Sequence, residues 1–356
     1  MATAEELAAQ LAAAAGTVRV VGAGTKRRWA PDAPASQELS TVGLDRIVEH
    51  NAGDLTAVLE AGVPLARAQE VFRSAGQMLA LDPPDPGGAT IGGIVASNDS
   101  GPLRARYGGA RDLVVGMRVA LADGTVAKSG GKVIKNVAGY DLGKLFTGSY
   151  GTLGAILEVA VRLHPLPPET ATAVGHASSP RLLAGGAAAL THARLEQLGL
   201  DVRWAGGAGV VLARFGGATA RQQAEAAETL LHSAGLEVEL ALGDESLWQA
   251  QRDAQRSPAG LVVRVSALQT DLESLAEVAE RLGATLVGRA GLGLFWLRLD
   301  EGDFAGLLAS LRPRFVSAVL DRPVGMAFEP PEPRDSGAAL LAGRVKERFD
   351  PDGTLV

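Results

Sequence analysis

LDPPDPGGATIGGIVASNDSGPLR, residues 81–104, and GGKVIKNVAGYDLGKLFTGSYGTLGAILEVAVRLHPLP, residues 130–167, are the stretches that decide the fold of this chain of 356 residues. Of its 45 glycines, 16 lie between Gly87 and Gly154. Glycine weakens regular elements, but it adopts positive φ angles and lets the backbone approach a ligand closely. This enrichment predicts a binding surface built from main-chain groups.

The first stretch has the chemistry of an anion cradle. Prolines 83, 84 and 86 stiffen its approach, and the residues that follow are small or carry short hydroxyls. Backbone amides in such a segment stay uncovered, so they suit a diphosphate. The alternative for this stretch on its own is a tightly wound surface loop.

A second glycine pair, Gly22 and Gly24 with Thr25, follows the predicted strand Val18–Val21. It does not complete the dinucleotide pattern G-x-G-x-x-G, because the third glycine position is Arg27. A phosphate-binding Walker A motif is also absent, since Gly131-Lys132 and Gly143-Lys144 are each followed by an apolar residue. The pair is an ordinary strand turn or a phosphate cradle.

Composition excludes several classes of function. The net charge of −6 disfavours nucleic acid as a partner. The absence of cysteine excludes thiolate metal sites and Cys-ligated iron–sulfur clusters, so redox chemistry requires an organic cofactor or another subunit, and we predict no metal. The N-terminal residues carry Glu5 and Glu6 where a signal peptide needs positive charge, and no apolar stretch reaches membrane-spanning length. The expected location is the cytoplasm.

The pattern of elements predicts a mixed α+β protein in three segments. Apolar runs predict strands over Val18–Val21, 55–61, 155–162 and 294–299, and residues 64–74 predict an amphipathic helix that begins at Pro64. Asp123-Gly124 marks a hairpin between 114–122 and 125–128. HPLPP at 164–168 ends the first domain, residues 1–165. Residues 166–325 alternate helices and strands, which predicts an antiparallel sheet with helices on one face, and residues 326–356 return to the first domain.

The glycine-rich blocks, in this order and spacing, resemble the FAD-binding domain of the vanillyl-alcohol-oxidase and p-cresol-methylhydroxylase (PCMH) type. The phrase KNVAGYDLGKLFTGSYGTLGAI is most similar to the small FAD-binding subunits of bacterial glycolate oxidases. The resemblance implies a two-subdomain FAD-binding fold with an α+β cap domain. It also implies that the cofactor is bound by Gly22, Gly24, Thr25, Pro86, Gly87, Gly88, Ala89, Thr90, Gly92, Gly93, Asn98, Gly101, Pro102, Gly148, Gly151, Thr152, Gly154 and Ile156.

The same resemblance bears on how FAD is held and on catalysis. Covalently flavinylated members carry a histidine in or near these glycine-rich segments. The histidines here are 50, 164, 176, 192 and 232, none of them between Gly87 and Gly154, so we expect non-covalent FAD. Oxidation of a 2-hydroxy acid needs an arginine for the carboxylate and a base for the hydroxyl proton. The sequence identifies no such base, and the catalytic residues stay unknown. Arginines 252, 264 and 289 and tryptophans 248 and 296 either face the flavin or fill ordinary ion-pair and core positions.

Three hypotheses follow. In the leading one, the chain is the FAD-binding subunit of a glycolate-oxidising complex that contains a catalytic flavoprotein subunit and an iron–sulfur subunit, and these partners bring it to the inner membrane. In the second, it is a self-sufficient FAD-dependent oxidoreductase that acts on another small hydroxy acid or alcohol. In the third, it is a flavin-free scaffold, which the open glycine-rich loop disfavours.

Overall fold

The computed structural model describes residues 3–30, 33–85, 87–131, 142–327 and 336–356. Pro86 and residues 132–141, which carry part of the phrase quoted above, lie outside the described residues. The chain divides into two units. Unit 1 comprises Met1–Ser100, Tyr107–Leu166 and Pro333–Val356, and unit 2 comprises Gly101–Arg106 and Pro167–Glu332.

The elements from the N-terminus to residue 165 build most of unit 1, except that the first three residues of α4 belong to unit 2. They are α1 (Ala4–Ala12), β1 (Val18–Val21), β2 (Gln37–Ser40), β3 (Ile47–Asn51), β4 (Thr56–Glu60), α2 (Leu65–Ser74), β5 (Gln77–Met78), α3 (Ile91–Ser97), α4 (Arg104–Tyr107), α5 (Ala110–Leu113), β6 (Val114–Ala120), β7 (Val126–Gly130), α6 (Leu142–Phe146), β8 (Ala155–Arg162) and β9 (His164–Pro165). A 3₁₀ turn covers Arg27–Trp29.

Three sheets lie in the described part of unit 1. β1 and β2 pair in parallel, β5 and β9 pair antiparallel, and the largest sheet is antiparallel in the order β3-β4-β8-β6-β7. Strand β4 is buried along its whole length, as expected for the apolar run TAVLE between two strands. The predicted hairpin is confirmed, because Gly124 takes a φ of +82° in the turn between β6 and β7.

The remaining elements build unit 2, apart from the final helix, which belongs to unit 1. They are β10 (Thr170–Ala177), α7 (Pro180–Thr191), β11 (Gly199–Ala205), β12 (Ala208–Gly216), α8 (Ala220–Ser233), β13 (Glu237–Leu242), α9 (Glu245–Asp253), β14 (Leu261–Ser266), α10 (Leu272–Leu282), β15 (Thr285–Arg289), β16 (Leu294–Leu299), α11 (Phe304–Leu311), β17 (Val316–Val319) and α12 (Ser336–Phe349).

Unit 2 is an antiparallel sheet in the order β13-β10-β12-β11-β15-β16-β14-β17. Helices α7, α8, α10 and α11 bury their apolar sides against one face of it. Helix α9 covers part of the other face, where Trp248 packs with Val174 and Leu212. The expectation of helices on a single face is therefore wrong for α9, whose tryptophan makes a second, smaller core.

Helix starts were predicted with mixed success. The spacing of Thr3 and Glu6 predicts a capping box, and both of its hydrogen bonds are present. Thr219 with Gln222 and Thr270 with Glu273 have the same spacing, but neither predicted box forms. The Thr219 hydroxyl accepts from Gln223 Nε2 without capping α8, and Thr270 lies inside a 3₁₀ turn before α10. No helix among the described residues is long and apolar enough to cross a membrane.

Candidate functional site

The end of β1 presents bare backbone to a cleft in unit 1. Val21 ends the strand, and Gly22, Ala23 and Gly24 follow it. The amides of these three residues make no hydrogen bond to another residue in the described part of the chain. Gly24 has a φ of +73° and open space where a side chain would be. Successive unpaired amides of this kind form a concave anion site.

Gly22 is required by a close approach to α3. A Cβ atom at this position would lie 2.4 Å from Thr90 Oγ1. That hydroxyl caps α3 by accepting a hydrogen bond from the Gly93 amide at 3.4 Å. Any side chain at residue 22 therefore displaces the helix cap.

The first turn of α3 does not offer its amides to the cleft, which differs from the sequence expectation for Gly92 and Gly93. Ile91 and Gly92 donate to the carbonyls of Val63 and Ala61, at 2.9 and 2.8 Å. A Cβ at Gly92 would come within 2.7 Å of Ala61 Cβ, so this glycine serves helix packing. Thr90 and Gly93 do line the cleft.

The loop before α3 supplies the other predicted residues of this block. Gly87 and Gly88 are exposed, and Gly88 takes a φ of +76° with open space around it. The Ala89 amide donates to Asp85 Oδ1 at 2.6 Å, which fixes the loop. Pro86 lies outside the described residues.

A buried cation stands beside the bare amides. The Lys26 side chain is 8% exposed, and its Nζ lies 3.3 Å from Oδ2 of buried Asp99. The ammonium makes no hydrogen bond with another described residue, although it lies 5.9 Å from the centre of the Trp29 ring. Sequence reasoning missed Lys26, even though its place directly after Gly24-Thr25 was the available signal.

The loop between α6 and β8 closes on the C-terminal end of α3. The amides of Gly148 and Tyr150 donate to Val95 and Ala96 carbonyls, at 3.0 and 2.8 Å. Tyr150, which was not predicted, lines the cleft and has a φ of +54°. Gly151 packs against Val20 of β1.

The other predicted residues of this block lie inside unit 1. Gly154 would place a Cβ 2.8 Å from the Ala120 carbonyl, and Ile156 is buried in β8. Thr152 donates its hydroxyl to the Ser149 carbonyl and accepts at its own carbonyl from Lys346 Nζ, at 2.8 Å. These residues therefore support the loop that carries Tyr150.

Residues near the C-terminus complete the sheet of β1 and β2, a feature that sequence reasoning left open. Val18 donates to the Thr354 carbonyl at 2.7 Å and accepts from the Val356 amide at 3.0 Å. Lys346 of α12 also donates to the Leu355 carbonyl at 2.7 Å, and buried Asp350 accepts from the Thr354 and Leu355 amides. Val356 lines the cleft as a result.

These features together fit a nucleotide diphosphate. The cleft has a volume of about 100 Å³ and is open to solvent. It combines unpaired amides, a glycine with no room for a side chain and a buried ammonium group. A doubly charged phosphate group is stabilised by such donors, because charge-assisted hydrogen bonds are the strongest that the backbone and lysine make.

Three further predicted residues end the first block. Asn98 takes the left-handed conformation that ends α3, with a φ of +50°, and its Oδ1 is buried without a partner among the described residues. Gly101 and Pro102 belong to unit 2. Within that unit the Gly101 carbonyl accepts from Arg289 Nε at 2.8 Å.

Arg289 belongs to a buried polar cluster on the α9 face of the unit 2 sheet. Its guanidinium also donates to Gln255 Oε1 at 2.9 Å and lies 4.2 Å from the centre of the Trp296 ring. Asp201 is fully buried, and burial raises its pKa from 3.8 to about 6 although Arg289 and Gln251 act in the opposite direction. Arg252 pairs with Glu245 at 2.6 Å, and Trp248 donates to Thr172 Oγ1 in the core.

The described residues contain no group of three histidine or acidic side chains placed to hold a metal ion. They also show no histidine lining the cleft of unit 1. A catalytic base is not identified among the residues described around that cleft.

Comparisons with known proteins define the class of fold. Residues 1–130 match the family described as the FAD binding domain. Solved structures with the same fold cover 99% of the chain at 14% identity: an alkyldihydroxyacetonephosphate synthase (TM-score 0.72, 74% of that chain) and a xylooligosaccharide oxidase from Myceliophthora thermophila (TM-score 0.71, 89% of that chain). The chain thus has the PCMH-type fold, α+β with an antiparallel cap, and its cofactor is FAD.

Curated relatives match about a third of the chain. Glycolate oxidase subunit GlcE of Escherichia coli is 43% identical over 122 residues, which are 34% of this chain and 35% of that protein. Glycolate oxidase subunit GlcD of Bacillus subtilis is 40% identical over 124 residues, 35% of this chain and 26% of that protein. A mitochondrial D-lactate dehydrogenase [cytochrome] of Arabidopsis thaliana is 37% identical over 131 residues, 37% of this chain and 23% of that protein. The matched part covers between 23% and 35% of the length of these relatives.

Proposed function

We propose that the chain is the FAD-binding subunit of a complex that oxidises glycolate, or another 2-hydroxy acid, to the 2-oxo acid. The observation that carries the proposal is the cleft of unit 1, whose amides at Gly22–Gly24 and ammonium at Lys26 suit the diphosphate. These residues fall within the segment that matches the FAD binding domain family. The similarity to glycolate oxidase subunits supports the substrate class.

In this proposal the chain binds and orients the cofactor, and FAD when bound supplies the two-electron acceptor. Gly22, Gly24 and Thr25 with the loop up to Gly93 hold the diphosphate. Asn98, Gly101 and Pro102 run past the flavin end, and the 148–156 segment supports the remainder. The catalytic flavoprotein subunit and an iron–sulfur subunit are proposed partners, since the chain has no cysteine to ligate a cluster of its own. The complex would lie in the cytoplasm, at the inner membrane where its partners bring it.

An absorption spectrum tests cofactor binding. The purified chain mixed with FAD and passed through a desalting column should keep a flavin spectrum, and acid precipitation should release the flavin, because no histidine lies between Gly87 and Gly154. A colourless protein after reconstitution would support the flavin-free scaffold.

Anaerobic reduction tests catalysis. Glycolate added to the FAD-loaded chain alone should leave the flavin oxidised, while addition of the catalytic subunit should allow it to bleach. Rapid bleaching of the isolated chain would contradict the supporting role.

The second candidate is a self-sufficient FAD-dependent oxidoreductase. Relatives named D-lactate dehydrogenase and D-2-hydroxyglutarate dehydrogenase, at 37% and 35% identity, favour it. It predicts that D-lactate or D-2-hydroxyglutarate bleaches the isolated, FAD-loaded chain anaerobically.

A further inference from the structure

A cleft of about 800 Å³ opens on the α9 face of the unit 2 sheet, with small residues along its floor. Ala205, Ala208 and Gly209 contribute to the floor, so the backbone of the β11–β12 hairpin is within reach of a guest. Clefts of this size hold metabolite-sized molecules.

Strand register brings its polar side chains to one face. Arg203 pairs with Val210 on one side and Val287 on the other, and His176 lies beyond Val210 on β10. Thr285 is two residues from Val287 and therefore on the same face. Arg203 and Thr285 are thus neighbours on a diagonal between adjacent strands.

Arg203 is a partly buried charge without a counter-ion. Its guanidinium makes no hydrogen bond or ion pair with another described residue, and the side chain lines the cleft. Burial alone lowers the pKa of its guanidinium, with no carboxylate acting against this effect. Burying a charge is costly unless a partner compensates it.

The other charged groups on this face are engaged or distant. Asp201, two residues earlier on β11, faces Arg289 and Gln251. Arg298 of β16 is held by Asp300 at 2.7 Å, and His176 lies 3.5 Å from Glu239. Glu237 lines the far end of the cleft on β13, three strands from Arg203, which is about 14 Å at the usual strand spacing.

We propose that this cleft binds a small organic anion whose carboxylate or phosphate group is held by Arg203 and the Thr285 hydroxyl. The planar guanidinium offers paired donors that match either oxyanion, and the Thr285 hydroxyl lines the cleft without a hydrogen bond to another described residue. The site lies wholly within unit 2 and does not depend on the cofactor or on the proposed reaction.

Titration calorimetry on the full, FAD-saturated chain tests the proposal, because saturation keeps phosphate out of the unit 1 cleft. The probes are inorganic phosphate and succinate, with glycerol as the uncharged control. We expect one or both anions to bind and glycerol not to bind; the stronger of the two identifies the anionic group. Failure of both anions to bind would overturn the proposal.

Variants locate the binding. Arg203→Gln should weaken binding of the anion by at least about tenfold. Arg203→Lys keeps the positive charge and Thr285→Val keeps the guanidinium, so each of these variants should weaken binding by less. Arg221→Gln is the matched control, because Arg221 is an exposed arginine of α8 paired with Glu225. Equal binding by Arg203→Gln and wild type would contradict the site.

A stability measurement keeps the test decisive. Without added anion, Arg203→Gln should unfold at the same urea concentration as wild type or higher, because no protein partner is lost. A lower midpoint for Arg203→Gln, with Arg203→Lys unchanged, would show a structural ion pair and count against the proposal.

Discussion

At the scale of single residues, Gly22 links the cofactor cleft to the helix beside it. In Gly22→Ala the new methyl group would meet Thr90 Oγ1, which caps α3. Loss of a cap costs about 1 kcal/mol, so we expect the free energy of unfolding to fall by that amount and FAD affinity to fall with it. Urea unfolding and a fluorescence titration of FAD measure the two effects.

Gly185→Ala is the control for this substitution. Gly185 lies within α7 of unit 2, and a Cβ there meets nothing within 4 Å. Alanine at a helical position stabilises by roughly 0.5–1 kcal/mol, and FAD affinity should not change. Unaltered FAD binding in Gly22→Ala would show that the end of β1 is not the diphosphate site.

Asp201 makes the stability of unit 2 depend on pH. Its pKa is about 6 in the folded protein against an ordinary value of 3.8, because burial disfavours the charged form. The folded state therefore holds the proton more tightly, and stability falls as pH rises from about 4 to 6. Asp201→Asn, which cannot ionise, should gain about 2–3 kcal/mol over wild type between pH 4 and pH 8.

Urea unfolding of both proteins at a series of pH values measures this difference. Taking the difference between variant and wild type cancels the titration of every other group. A constant difference across the range, or one that shrinks as pH rises, would mean that Asp201 is ionised in the folded protein at low pH.

At the scale of elements, α12 holds the segment that completes the β1 sheet. Lys346 donates to the carbonyls of Thr152 and Leu355 and pairs with the buried carboxylate of Asp350. Lys346→Met keeps the length of the side chain but removes these bonds. We expect a loss of about 2 kcal/mol in unfolding free energy and weaker FAD binding, because Val356 lines the cleft.

Arg344→Met on the same helix separates this effect from helix propensity and surface charge. Arg344 is exposed, so the variant should stay within about 0.5 kcal/mol of wild type in urea unfolding and bind FAD normally. If both variants behave alike, the lysine does not anchor the segment.

Elements were predictable where a buried apolar run is bounded by turn residues. β1, β8 and β16 have the predicted limits, and α2 begins one residue after the predicted Pro64. Helix starts depend instead on local hydrogen bonds that compete with one another. At Thr219, for example, the hydroxyl accepts from Gln223 Nε2 rather than capping the helix.

The candidate site was predicted in part for a related reason. Glycine-rich segments show where backbone is uncovered, and they predicted a cofactor-binding role for Gly22, Gly24 and Thr90, which line one cleft. They say nothing of side chains brought from elsewhere. Tyr150 and Val356 reach the cleft through a left-handed turn and a strand pairing that no local pattern encodes.

At the scale of the whole molecule, each unit carries its own core, so unfolding need not be a single two-state transition. FAD at about 100 times its Kd should stabilise the unit that binds it by about 2.7 kcal/mol. Calorimetry should therefore show one transition that moves with FAD concentration and one that moves less. Asp201→Asn, which changes the stability of unit 2, identifies the unit 2 transition. A shift confined to that transition would place the cofactor outside unit 1.

The domain limits after residues 165 and 325 stay predictions.

The hydrogen bonds between Val18 and residues 354–356 have a consequence for synthesis. On the ribosome, β1 emerges shortly before β2 but more than 300 residues before residues 354–356, its neighbour on the other side. Unit 2 is translated in between and is free to fold first, since domains generally fold as units. Contacts so distant along the chain form slowly, so the cofactor cleft should mature only after translation has passed residue 356.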